Sequence, residues 1–175
     1  MSIETEGLGK PDIELAGLRI WVHGREFHDD GSYWDGNWLE VTIECSARDA
    51  TVRAAGWIIL TWELADLLSR LEKLHSTLDG SFEIECMEPH LSLEFKAGKT
   101  GKIDFIVRLT PDLINQEHSF KFDIDQSYLP ETIRQLREVL RTYRVRNEGG
   151  PKAMQWIATN LPAWIGRILG VRRSG

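Results

Sequence analysis

Several runs within the first 125 residues alternate apolar and polar positions with a period of two. Leu39, Val41, Ile43 and Cys45 interleave with Trp38, Glu40, Thr42 and Glu44, which predicts a strand with one buried and one wet face. Ile13 and Leu15, then Leu18, Ile20 and Val22 beyond the Ala16-Gly17 break, predict a strand pair or one bulged strand. Thr51 to Ile59 predicts a third strand, whose alternation fades at Trp57-Ile58-Ile59-Leu60 and so implies burial on both sides. Four more strands follow from Phe82, Ile84 and Cys86, from Leu91, Leu93 and Phe95, from Ile103, Phe105, Val107 and Leu109, and from Phe120, Phe122 and Ile124.

Two stretches switch to helical spacing. Leu64, Leu67, Leu68, Leu71, Leu74 and Leu78 form one apolar stripe, predicting a helix over Thr61–Leu78 with Thr61 as N-cap and Asp79-Gly80 as its end. Leu129, Ile133, Leu136, Leu140 and Tyr143 predict a second, over Leu129–Tyr143. Clean alternation favours an antiparallel sheet with one solvated face. The expected fold is therefore α+β: a sheet of about seven strands with two amphipathic helices on one face. No internal repeat is visible. Glu148-Gly149-Gly150-Pro151 reads as a hinge, giving one domain over residues 1–147 and a tail over 148–175. Met154, Ile157, Leu161, Trp164, Ile165, Ile168 and Leu169 recur there at helical spacing around Pro162. Lys152, Arg167, Arg172 and Arg173 make the tail basic and amphipathic, suited to packing on this domain, on a second copy as a homo-oligomer, or less readily on a membrane.

The 175 residues carry a formal net charge of −6, which argues against nucleic acid or an anionic membrane and is compatible with a basic protein partner. No apolar signal-peptide core opens the chain, no run is long enough to cross a membrane, and neither cysteine belongs to a CxxC pair. A reducing cytoplasm is the expected compartment.

Candidate chemistry is sparse. Gly98-Lys99-Thr100-Gly101 lacks the first glycine of a phosphate-binding loop, Leu93 standing in its place, and leads into a strand, so it reads as a hairpin loop. His23, His28, Asp29 and Asp30, or Cys86 with His90, have neither structural-zinc nor catalytic-zinc spacing. No metal, no cofactor and no catalytic residue is expected. Cys45 and Cys86 fall in phase with the apolar residues of their strands and are expected in the core. On the polar side, Glu40, Glu44, Glu83, Glu85, Glu94, Asp104 and Asp123 outweigh Arg19, Lys96, Arg108 and Lys121. That face is a solvated surface with cross-strand ion pairs or an acidic docking face.

Tyr33-Trp34-Asp35-Gly36-Asn37-Trp38-Leu39 packs three aromatics into a turn sequence. It is either a packed corner between strands, held by Gly36 and Asn37, or a recognition patch, since Trp and Tyr dominate binding hot spots. The stretch resembles the aromatic-Trp-Asp-x-Asn-Trp-Leu signature of bacterial WapI family immunity proteins. Leu60-Thr61-Trp62-Glu63-Leu64, then Glu88-Pro89-His90-Leu91-Ser92-Leu93-Glu94-Phe95, then a closing Leu-rich helix follow in that family's order, so the resemblance spans roughly Ile13 to Arg146. It implies a protein that binds and neutralises a cognate toxin domain and is not an enzyme.

The resulting expectation is a cytoplasmic, non-catalytic binding protein that occludes a toxin domain, basic and nuclease-like. Tyr33, Trp34, Asp35 and Trp38, with Asp29 and Asp30, are the candidate contacts, and Gly36, Asn37, Glu88 and Pro89 the candidate structural corner. The alternative is an interaction domain, dimeric through its tail, with no toxin partner.

Overall fold

The computed structural model describes residues 7–26 and 35–146. The hinge and tail, and the candidate contacts Asp29, Asp30, Tyr33 and Trp34, lie outside the described residues.

Strands β1 (Ile13–Leu15), β2 (Leu18–Arg25), β3 (Trp38–Ala47) and β4 (Ala50–Leu60) form one antiparallel sheet in chain order, followed by helix α1 (Thr61–Thr77). Strands β5 (Ser81–Glu85), β6 (Leu91–Ala97), β7 (Lys102–Leu109) and β8 (His118–Asp125) form a second, followed by helix α2 (Leu129–Thr142). The α+β class stands, but one sheet of about seven strands becomes two sheets of four. Alternation reports which face of a strand is buried and says nothing about which strands pair. The chain thus runs twice through four antiparallel strands and a helix, a repeat of topology that the sequence does not display.

The helices correspondingly do not lie on one face of one sheet. They pack on each other, while α1 also touches β4 and β5 and α2 touches β1. Inner faces of both sheets and both helices share one core, which includes Val41, Ile43, Leu71, Phe105 and Leu136. In the second sheet a ring ladder crosses all four strands: Phe82, Phe95, Phe105 and Phe122 stand 4.8, 4.6 and 5.8 Å apart between successive centroids. Phe122 reaches the β1–β2 turn of the first sheet. A Cβ on Gly17 would fall 2.0 Å from the Ser46 carbonyl oxygen and 2.7 Å from the Phe122 ring, so only glycine allows this approach.

Local details depart from the sequence expectation in ways with clear causes. Ile58 is a bulge, because Leu39 pairs with Ile59 and Glu40 with Trp57. The extra residue resets the phase, burying Ile58, Ile59 and Leu60 while Trp57 stays 38 % exposed. Leu60, not Thr61, is the N-cap of α1, and Glu63 closes the cap by accepting from the Leu60 N–H at 2.8 Å. The left-handed C-cap is Leu78 (φ 50°), ahead of Gly80, with its N–H bonded to the Leu74 carbonyl at 2.8 Å.

Candidate functional site

The three segments that carry the signature meet at one end of the fold. Asp35–Asn37 form a single 3-10 turn that leads straight into β3. Asn37 is fully buried. Its Oδ1 accepts from the Thr61 hydroxyl at 2.5 Å and from the Arg146 backbone N–H at 2.9 Å, and its Nδ2 donates to the Arg146 carbonyl at 3.1 Å. One amide thereby joins the start of β3, the start of α1 and the chain beyond α2.

Two residues along from Thr61, Glu63 continues the connection. Besides capping α1 it accepts from the Met87 N–H at 2.6 Å, fastening the helix to the β5–β6 loop. Glu63 is 4 % exposed. Burial pushes its carboxyl up to about 7, with the nearby Glu88 adding to the rise, against the opposing pull of the Leu60 and Met87 N–H groups and the Cys86 thiol. Beyond it, the Glu88-Pro89 segment makes a tight turn, with the His90 N–H on the Glu88 carbonyl at 2.7 Å. His90 Nδ1 lies 2.6 Å from the Thr110 carbonyl, which brings in the β7–β8 loop. Glu88 is half-buried and Pro89 exposed.

Arg25 is a residue that the alternation hides. A bulge at His23 resets the phase of β2, so Arg25 pairs with Leu39 and turns inward. Its guanidinium donates to the carbonyls of Gly36 and Arg144 and stands 6.0 Å from the Tyr143 ring centroid. Burial holds its pKa below the usual arginine range, with Arg146 adding to the effect. Of the candidate contacts that are described, Asp35 is exposed and Trp38 half-buried, its backbone paired with Leu60. Gly36 and Asn37 are buried beneath them.

The acidic face does not form a single surface. Glu40 and Glu44 belong to the first sheet and the other five acids to the second. Glu44 is 5 % exposed and held between Arg19 at 3.2 Å and Arg53 at 2.6 Å. On the second sheet Arg108 bridges Glu83 at 3.0 Å and Glu94 at 2.7 Å, offsetting the repulsion of two carboxylates placed directly opposite each other. Cys45 and Cys86 are both buried and unpaired. Burial pushes the Cys45 thiol up to about 12 and raises that of Cys86 as well. Among the described residues no three His, Cys, Asp or Glu side chains gather as metal ligands, and no helix is long and apolar enough to cross a membrane.

Asn37 and Glu63 thus tie the starts of β3 and α1 to the β5–β6 loop and to the chain beyond α2. The chain belongs to the immunity protein WapI-like family, whose model matches residues 11–144. Comparison with curated proteins yields no match. Among solved structures, the plant transcriptional regulator PBF-2 is similar at 12 % identity and a TM-score of 0.46, over 90 % of this chain and 92 % of that one. WHY1 from Arabidopsis thaliana is similar at 14 % identity and a TM-score of 0.41, over 85 % of this chain and 92 % of that one.

Proposed function

We propose that this protein binds and neutralises a cognate toxin domain by covering its working surface, without chemistry of its own. The observation that carries this reading is the family match over residues 11–144, which takes in both sheets and both helices. The loop end supports it physically. Asn37, Glu63 and Arg25 tie together the described segments next to Asp35 and Trp38, and a preorganised surface loses less entropy on binding. Asp35 and Trp38, with Tyr33, Trp34, Asp29 and Asp30, are the contacts we assign to the toxin. The net charge of −6 suits a basic domain such as a nuclease and would speed its association.

The test is to look for a toxin domain encoded in the reading frames adjacent to this chain's gene and to co-express it with the chain. Growth should be restored by the intact chain, and the two proteins should co-purify. Continued killing at matched expression, with no complex recovered, would remove the toxin from the account.

A further inference from the structure

Strand β4 is the last in its sheet, and its far edge differs from the other three sheet edges. Long, uncharged edges invite pairing with another chain, and folded proteins usually blunt them. Strand β1 is three residues long and covered by α2: Gln135 Oε1 accepts from the Glu14 N–H at 2.8 Å, and the Thr132 hydroxyl donates to the Glu14 carbonyl at 2.8 Å. Strand β5 has five residues, with Glu83 and Glu85 exposed on it, and β8 carries exposed Lys121, Asp123 and Asp125. Strand β4 has 11 residues and a single charge, Arg53, which pairs with Glu44 at 2.6 Å.

The hairpin fixes which backbone groups look outward. Ala47 and Ala50 close a two-residue turn, and pairing proceeds without a shift to Val41–Gly56. Alternate residues therefore point their N–H and C=O away from β3, and these include Thr51 and Ala55. Both are exposed, and no strand among the described residues lies beyond them. A Cβ added at Gly56 would meet no atom within 4 Å. Trp57, 38 % exposed, stands at the end of this run, with exposed Glu40 opposite it on β3.

We propose that β4 receives an extended, basic segment of the toxin as an added strand, with a Lys or Arg of that segment lying over Trp57 towards Glu40. This rests on the toxin-binding reading above. Strands pair about 5 Å apart, so a residue facing Trp57 on the added strand is roughly 10 Å from Glu40. A long basic side chain spans much of that gap while its cation rests on the indole face. Charge favours this occupant over β4-to-β4 pairing with a second copy, whose own β4 carries a single charge, Arg53, already paired with Glu44. Backbone pairing supplies affinity, and the Trp57–Glu40 pair supplies selectivity.

The experiment uses the full chain and the purified, catalytically inactivated form of the toxin domain identified by the co-expression test above. Amide hydrogen exchange at Thr51 and Ala55 should slow at least about tenfold in the complex, as for newly paired strands. Ala55→Pro removes one outward N–H without breaking the β3–β4 ladder, and should weaken binding at least about tenfold. Glu40→Gln should weaken it by roughly threefold to tenfold and reduce its salt dependence. A complex that forms while Thr51 and Ala55 exchange as in the unbound chain would overturn the edge proposal and leave the toxin reading standing. Absence of any complex with the native chain would overturn both. A concentration-dependent dimer dispersed by Ala55→Pro would give the edge to a second copy and overturn the proposal.

Discussion

Asn37 and Arg146 exchange two hydrogen bonds across 109 positions of sequence, side-chain amide to backbone, at 3.1 and 2.9 Å. The contact closes the fold, because it holds the segment after α2 against the start of β3. It also explains why an amide suits the buried corner: one end must donate and the other accept.

Asn37→Ala should therefore remove the side-chain bonds to the Arg146 backbone and the Thr61 hydroxyl. Stranding buried polar groups costs about 1–3 kcal/mol each where water does not replace the bond. The expected loss is about 2–4 kcal/mol, read from urea unfolding. A variant as stable as the native protein would mean the corner opens to water without penalty.

Glu63 predicts a pH dependence. Its folded pKa is about 7, above the ordinary 4.5. The folded state thus holds this proton more tightly than the unfolded state. Stability is fullest below about 4.5 and falls as pH rises to about 7, beyond which this contribution is constant. The shift corresponds to a loss on the order of 3 kcal/mol across that window. Urea midpoints from pH 5 to pH 8 should fall accordingly, and Glu63→Gln should flatten that part of the profile. A native profile already flat between pH 5 and 7 would contradict the burial argument.

Strand positions and most of the core were legible in the sequence because alternation records burial directly. Cys45, Phe95, Val107 and Leu136 are buried as their phase implies. What alternation misses is a change of phase. The bulges at His23 and Ile58 turn Arg25 inward and leave Trp57 outside. The division into two sheets was equally hidden, since β4 and β5 show the same pattern whether or not they pair. At the site, the turn chemistry of Gly36-Asn37 marked the corner, but no local signal points from Asn37 to Arg146. Glu63 was legible as a residue near the helix start and not as a link to Met87, which lies 24 positions on.

The two thiols should be inert in the folded protein. Both are buried with raised pKa values, so neither presents a thiolate at neutral pH. Labelling by a bulky maleimide should be limited by unfolding and should accelerate with urea in step with it. Rapid native-state labelling of either cysteine would place it at the surface.

Trp62 offers the last prediction. Its indole Nε1 is buried at the start of α1 and has no hydrogen-bond partner among the described residues. An orphaned buried N–H lowers stability, whereas an apolar replacement of similar shape removes that penalty. Trp62→Phe loses some packing area as well, so the two effects oppose each other. The expected net change in unfolding free energy is within about 1 kcal/mol, far smaller than the roughly 3–5 kcal/mol typical of truncating a buried aromatic to alanine. Comparing urea midpoints for Trp62→Phe and Trp62→Ala separates the terms: the alanine variant loses the packing and the phenylalanine variant mainly the N–H. If phenylalanine destabilised the protein as much as alanine does, the indole N–H would have to be making a bond that holds this end of the helix in place.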